Sequence, residues 1–241
     1  NAVVVKREAD GKFFVILNLT LEDDTRYQKS GIECALDLNI DNIALSDSSG
    51  NRKLIKLEDF SKSKYSSQFR KLQTQLSRRY LKKNFSKNTK RLQNKQNKIQ
   101  RKIKNQKEDQ FHKISNVLTN NFDRITIENL QIKKMKESQK THLNRLISDI
   151  SWNSLIQKLK YKSEMKNKII REIDPAFTSQ RCFKCGHISK NNRKSQSDFS
   201  CLNCKHTENA DINASKNILW YDKWSLEQTA LISIWKSESL S

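Results

Sequence analysis

At 241 residues the chain can hold one large domain with insertions, or two small ones. Its 47 Lys and Arg against 26 Asp and Glu leave a net charge of +21, which favours a polyanionic partner, nucleic acid first. No apolar run approaches the ~20 residues that cross a bilayer, and only four glycines and one proline argue against a low-complexity protein. The apolar content of 35% is low and the charge unevenly spread, so part of the chain is expected to fold stably only against a partner. The reading from composition is a soluble, intracellular nucleic-acid-binding protein. The start at Asn1 instead of Met suggests a fragment with residues missing upstream.

Residues 12–21 read as a strand after an Asp10-Gly11 turn signal. Residues 31–38 form a second apolar strand, followed by strands at 43–46 and 53–57. The turns at Asp41-Asn42 and Ser49-Gly50-Asn51 imply an antiparallel meander. The character then changes. From Ser61 to Lys107 there are 17 Lys and Arg and no Asp or Glu. Leu92, Ile99 and Ile103 recur there at helical spacing, and Phe111, Ile114 and Leu118 continue the pattern. This predicts two long helices with a break near 84–88. A solvated polar face is the plain alternative, but so many uncompensated like charges favour a helix pair that faces phosphates.

Residues 124–128 are again strand-like. Residues 142–163 read as a helix with Leu143, Leu146, Ile150, Leu155 and Leu159 on its apolar face. A strand at 168–173 ends at Asp174-Pro175, and a helix is expected from about 210 to 221. Residues 223–241 are weakly amphipathic and carry no assigned role. The order implies a mixed α/β sheet interrupted by two insertions.

The second insertion holds Cys182-x2-Cys185 and Cys201-x2-Cys204, two knuckles fifteen residues apart. Each pair can chelate one ion from one side, and together they predict a closed, structural four-cysteine zinc ribbon with no open position. A redox pair would not need a second copy, and disulfides need an oxidising compartment. His187 and His206 are substitute ligands only. Cys34, in an apolar run, is expected to be a buried core thiol.

Three acids stand at element ends. Asp37 and Glu128 each close an apolar strand, and Asp211 opens the helix directly after the ribbon. Ile125 and Ile127 share one face of their strand, so Glu128 projects with Thr126 from the other. Brought together, the three carboxylates would repel unless cations bound between them. Two Mg²⁺ ions about 4 Å apart could activate a water and stabilise the leaving 3′ oxygen of a phosphodiester. From spacing alone an ordinary reading stays open: an Asp turn, a strand-end Glu and an acidic first helical turn suited to the helix dipole.

The segments Ala35-Leu36-Asp37-Leu38-Asn39, Ile125-Thr126-Ile127-Glu128-Asn129-Leu130 and Asp211-Ile212-Asn213-Ala214-Ser215-Lys216-Asn217-Ile218 resemble the three RuvC motifs of TnpB. TnpB is the transposon-encoded RNA-guided nuclease of insertion sequences. The stretch from Thr178 to Ser197 is similar to its zinc ribbon, and to that of the related miniature type V CRISPR effectors. The resemblance covers about Asp10 to Trp220, with four motifs in order. It implies an RNase H-like (RuvC) fold, with Asp37, Glu128 and Asp211 as catalytic ligands of two Mg²⁺. It also implies a guide RNA from the same locus, a DNA target and a prokaryotic cytoplasmic, nucleoid-associated setting.

The implied organisation is a wedge-like strand remnant at 1–30 and a discontinuous nuclease domain at 31–222. The latter carries a basic helical insertion at 61–121 and the ribbon at 177–207, and a tail follows at 223–241. Arg78, Arg79, Lys82 and Lys83 become candidate backbone contacts, Arg193 a substrate-strand contact, and Asn213 an orienter of a metal ligand or water. Two departures stand out. The family's first motif is Gly-Ile-Asp-Leu-Gly, where Asn39 now replaces the last glycine as a residue tolerant of left-handed backbone. Ala210 stands where many members carry Arg. Competing readings are a nuclease-inactive guided repressor, an unguided RuvC-like nuclease, and a miniature type V CRISPR effector.

Overall fold

The computed structural model describes residues 3–8, 11–17, 29–39, 41–58, 63–83, 85–129, 152–173 and 177–238, with side chains to 229. The predicted helical residues Leu143, Leu146 and Ile150 lie outside the described residues. Contacts group the chain into two units, Asn1–Asp23 with Glu58–Ile114, and Asp24–Leu57 with Ser115–Ser241.

The first unit holds a hairpin of β1 (Val3–Arg7) and β2 (Phe13–Leu17), antiparallel with Val5 opposite Val15. β1 had no counterpart in the sequence reading. Both strands are exposed along their whole length. The unit also holds α1 (Lys64–Leu81) and the greater part of α2 (Lys87–Asn121), which bracket the predicted break. Serines start both helices: Ser63 Oγ accepts from Ser66 N at 3.2 Å, and Ser86 Oγ from Thr89 N at 3.4 Å. Lys102 lies over the Tyr65 ring, and Tyr80 Oη donates to Gln93 Oε1, so the helices run antiparallel. Leu72, Leu76, Ile99 and Phe111 are the buried apolar residues of this unit's helices among the described residues, a thin core under a cationic surface.

The second unit is built on a five-stranded sheet. β3 (Glu33–Leu38), β4 (Asn42–Asp47) and β5 (Arg52–Lys56) form the expected antiparallel meander. β6 (Arg124–Glu128) and β7 (Ile169–Ile173) add in parallel on the other side of β3, giving the order β5-β4-β3-β6-β7. Between the last two strands runs α3 (Trp152–Met165), which packs on β7 with Leu155 and Leu159 fully buried.

Register and alternation give the sheet two unlike faces. Cys34, Leu36, Leu38, Ile43, Leu45, Ile125 and Ile127 share one face and are buried. Cys34 is fully buried as expected, and burial, aided by Asp47, pushes its thiol pKa up. Ala35, Asp37, Asn42, Ala44, Ser46, Arg124, Thr126 and Glu128 share the other face, which is small and polar. A long helix, α4 (Ala210–Glu238), covers this second face.

α4 runs far beyond the predicted end at 221, through the segment read as a separate tail. Its sheet-facing positions are Asp211, Ser215, Ile218, Asp222 and Ser225, at helical spacing. Ser215 Oγ lies 2.7 Å from Ser46 Oγ. Asp222, with no exposed surface, sits between Arg124 Nε at 3.1 Å and Arg171 Nη1 at 2.8 Å. A helix that docks through Asp and Ser carries little apolar periodicity, which is why the sequence understated its length. Asp222→Ala leaves Arg171 without this carboxylate and Arg124 with Glu33 alone, and is expected to destabilise the unit by about 3 kcal/mol, read as a lowered urea midpoint.

Among the described residues no helix is long and apolar enough to cross a membrane.

Candidate active site

Asp37 lies on β3 opposite Ala44 of β4. The parallel pairing of β3 with β6 runs to Leu36 opposite Ile127, so one further step along the register sets Glu128 beside Asp37 on the same face. Asp211, almost fully buried, opens α4 above that face. Asn209 Oδ1 caps the helix start, accepting from Asp211 N at 3.0 Å and Ile212 N at 3.1 Å. The fold therefore brings three acids, far apart in the chain, to one end of one sheet face.

Each aspartate is held by donors. Asn39 Nδ2 donates to Asp37 Oδ2 at 3.0 Å. Asn42 Nδ2 donates to Asp211 Oδ2 at 3.3 Å, and Arg193 Nη2 to Asp211 Oδ1 at 3.0 Å. Burial raises the Asp37 pKa to about 6, and the neighbouring Asp211 adds to the rise, while the Asn39 hydrogen bond and Arg193 oppose it. The three carboxylates do not converge as tightly as the cysteines described below. Among the described residues the cysteine group alone brings three or more such ligand atoms within 4.8 Å of one another.

Asn39 and Asn42 were not read as site residues. Asn39 is not among the described residues with positive φ. The turn closes through Asn39 N to Asn42 O at 2.9 Å, and the Asn39 side chain serves Asp37. The expected left-handed role of Asn39 is thus corrected. The sequence signal was there, two amides just after a strand-end aspartate, but the hairpin register was needed to read it.

Cys182, Cys185, Cys201 and Cys204 come together with all four Sγ atoms within 4.8 Å of one another. Sγ separations of 3.7 Å for Cys182–Cys204 and 3.6 Å for Cys185–Cys201 are far too long for disulfides. They match the edge of about 3.8 Å that a tetrahedron with ~2.3 Å zinc–sulfur bonds requires. The residues fit a closed tetrathiolate zinc site. His206 Nε2 lies 3.5 Å from Glu208, and His187 serves through its backbone, so neither histidine joins the group.

The two knuckles share one backbone pattern. Cys182 N donates to His187 O and Cys201 N to His206 O, both at 2.9 Å. The residue after each second cysteine has positive φ, Gly186 at +76° and Lys205 at +59°. Glycine accepts that conformation freely and lysine does not. Lys205→Gly is therefore expected to stabilise the ribbon by about 0.5–1 kcal/mol, measured by equilibrium unfolding of the zinc-loaded protein.

The strands β8 (Asp198–Ser200) and β9 (Thr207–Asn209) complete the ribbon, whose small core is Cys182, Phe199, Cys201 and Ala210. Ala210 thus packs its methyl group inside the ribbon, where an Arg side chain would have to leave. Asn192, Asn213 and Asn217 are fully buried and bind backbone. Asn213 Nδ2 donates to Arg181 O at 2.8 Å and its Oδ1 accepts from Phe183 N at 3.1 Å. Asn217 Nδ2 reaches Thr178 O and Arg181 O. Asn213 therefore clamps the ribbon to α4 and does not orient a metal ligand or water, a correction to the expected role. The i, i+4 spacing of Asn213 and Asn217 was a legible sign of such a clamp.

Arg193, expected to contact the substrate strand, reaches Asp211 and donates to the carbonyls of Ser195 and Gln196 in its own loop. Arg78, Lys82 and Lys83 are exposed at the end of the α1–α2 hairpin and Arg79 is half-buried there.

A family model described as "Probable transposase", OrfB_IS605, matches residues 17–139, just over half of the chain. The chain belongs to this family. A second model, the Cas12f1-like TNB domain, matches residues 152–218, which include the ribbon and the start of α4. The relative "Putative RNA-guided DNA endonuclease InsQ" of Escherichia coli (strain K12) is 32% identical over 230 residues, 90% of this chain and 55% of its own length. "CRISPR-associated endodeoxyribonuclease Cas12f1" of Sulfoacidibacillus thermotolerans is 41% identical over 75 residues, 31% of this chain and 18% of that protein.

Two solved structures share the fold. The chain in "Cryo-EM structure of the Cas12f1-sgRNA-target DNA complex" has a TM-score of 0.52 at 19% identity, covering 90% of this chain and 55% of that one. "Cryo-EM structure of CRISPR-Cas12f Ternary Complex" gives 0.54 at 20%, covering 90% and 44%. The chain therefore spans about half the length of InsQ and of the chains in these structures, and the TnpB-like resemblance read from its motifs agrees with the family matches and named relatives.

Proposed function

We propose that this chain is the nuclease lobe of a TnpB-like RNA-guided DNA endonuclease, with an RNase H-like RuvC fold. The observation that carries the reading is the meeting of Asp37, Glu128 and Asp211 at one end of one sheet face, each from a different element. Carboxylates so placed would hold divalent cations, with Mg²⁺ favoured by an all-oxygen donor set. Bound there, the cations would supply an activated water and neutralise charge on the leaving 3′ oxygen.

The chain's own residues set the stage for this. Asn39 and Asn42 fix the carboxylate orientations of Asp37 and Asp211. Arg193, tethered by its loop carbonyls, stands beside Asp211 where a phosphate of the substrate strand would displace it from the carboxylate. The ribbon holds zinc as a structural element, locking the start of α4 and with it Asp211. The basic helices, with Arg78, Arg79, Lys82 and Lys83 at their end, take backbone phosphates of a guide RNA or its DNA heteroduplex.

The organisation that follows is a wedge-like segment at 1–30, a nuclease domain from 31 with the basic insertion at 61–121 and the ribbon at 177–207, and α4 continuing past 222. Guide and target recognition belong to the whole protein, as in relatives such as InsQ, of which this chain covers 55%.

The test is Mg²⁺-dependent cleavage of labelled single-stranded DNA by the protein expressed with RNA from its own locus. Cleavage that disappears in Asp37→Ala supports the reading. A folded, zinc-loaded, RNA-bound wild type that binds DNA without cutting it would replace the nuclease with a guided repressor. Cutting that needs no RNA would replace it with an unguided nuclease.

A further inference from the structure

The turn that joins α1 to α2 exposes three large apolar side chains within six residues. Leu81 is 84% exposed, Phe85 73% and Tyr80 43%. They do not belong to the hairpin's own core, which is buried further along at Leu72, Leu76 and Ile99. Nor are they loosely arranged. Tyr80 Oη donates to Gln93 Oε1 at 3.1 Å, which anchors the ring to α2. The Tyr80 and Phe85 rings lie 5.9 Å apart at 42°. Lys83, at φ +50°, closes the turn by donating its N–H to Tyr80 O at 2.9 Å. The non-glycine residue at positive φ is a local cost accepted to hold this geometry.

The surroundings select the occupant. Arg78, Arg79, Lys82, Lys83 and Lys87 flank the apolar group, and no acid occurs anywhere from Ser61 to Lys107. An apolar protein groove that took Leu81 and Phe85 would have to carry its own acids around the rim to pair these cations, or bury them unpaired. A nucleic acid offers both halves at once: phosphates for the cations and the apolar faces of unstacked bases for the rings. We propose that this tip is a nucleobase wedge. Phe85, Leu81 and Tyr80 contact an unstacked base of a guide or target strand, while the flanking cations hold the phosphates on either side. The proposal rests on the reading of the helices as phosphate-facing and adds to it a base contact that charge alone does not provide.

The experiment titrates the 241-residue protein with a single-stranded RNA carrying one 2-aminopurine, over a series of salt concentrations. Wild type, Phe85→Ala, Phe85→Trp and Lys82→Ala are compared, their far-ultraviolet circular dichroism checking that exposed substitutions leave the helices intact. Wild type is expected to change the 2-aminopurine emission on binding. Phe85→Ala should bind roughly 5- to 100-fold more weakly with the salt slope unchanged, and Phe85→Trp should restore binding. Lys82→Ala should instead reduce the slope by about one phosphate contact.

Salt-dependent binding that is equally strong in Phe85→Ala, with no emission change in wild type, overturns the wedge and leaves the phosphate reading standing. Absence of salt-dependent binding in wild type overturns both. The wedge is also overturned if Phe85→Ala abolishes self-association in sedimentation, or binding to anionic vesicles, while RNA binding is unaltered.

Discussion

Asp37→Ala and Asp37→Asn are expected to abolish the proposed Mg²⁺-dependent DNA cleavage, with a loss of at least ~10³-fold, because the proposed two-ion site would lose one of its three carboxylates. The same substitutions should stabilise the fold in Mg²⁺-free buffer. Burial of Asp37, with Asp211 beside it, raises its pKa to about 6, against the offsetting amide of Asn39 and guanidinium of Arg193. An acid whose folded pKa exceeds its unfolded value favours folding only while protonated. Its contribution is complete below the unfolded pKa of about 4 and is lost as pH rises through 6.

Ionised Asp37 therefore costs the folded state about 2 kcal/mol above neutrality, after allowing for partial exposure. Asp37→Asn removes this cost, so its advantage over wild type in urea unfolding should be largest above pH 7 and shrink as pH falls towards 5. Added Mg²⁺ should narrow the gap by binding only the folded wild type. A flat pH dependence of the difference would show that Asp37 is not strained. This stability readout stands apart from any cleavage assay and from the guide RNA.

Cys201→Ser, or removal of the metal with a thiol-competent zinc chelator, should unfold the ribbon and lower cleavage by at least ~100-fold. Two three-residue strands cannot stand alone, and the ribbon's core is four residues, two of them cysteines. A bound zinc would supply what the core cannot; zinc binding to comparable small sites is worth about 10–16 kcal/mol. The consequence reaches the acids by a traceable route. Asn213 and Asn217 tie the ribbon backbone to α4, and Arg193 ties its loop to Asp211. Loss of the ribbon frees the segment that presents Asp211. The wild-type protein should release one equivalent of zinc per chain to a colorimetric chelator, with a matching loss of near-ultraviolet dichroism. A Cys201→Ser protein that retains its zinc and its rate would sink the structural role.

Much of this architecture was legible because local rules and the fold agreed. The strands β3 to β6 carried apolar runs bounded by turn residues, and the cysteine spacing announced a tetrathiolate before any coordinate did. The break between α1 and α2 fell where apolar spacing lapsed. Other features are pairings between distant segments, which composition and periodicity do not encode. The sequence placed Glu128 at a strand end, but only the parallel register of β6 against β3 set it beside Asp37. Asn39 and Asn42 became partners of the two aspartates once the hairpin folded and α4 arrived 169 residues later. Asn213 looked like a helper of the acids, yet its amide is consumed by the ribbon.

α4 shows the same limit most plainly. Its sheet-facing side is Asp211, Ser215, Asp222 and Ser225, matched to Ser46, Arg124 and Arg171 across the interface. Hydrogen bonds and ion pairs need specific partners in three dimensions, whereas apolar burial needs only a face. Residue types, motif order and metal spacing were thus determined by the sequence itself. Which polar group meets which was decided by the tertiary structure, because a polar side chain's role is defined by the partner that folding brings to it.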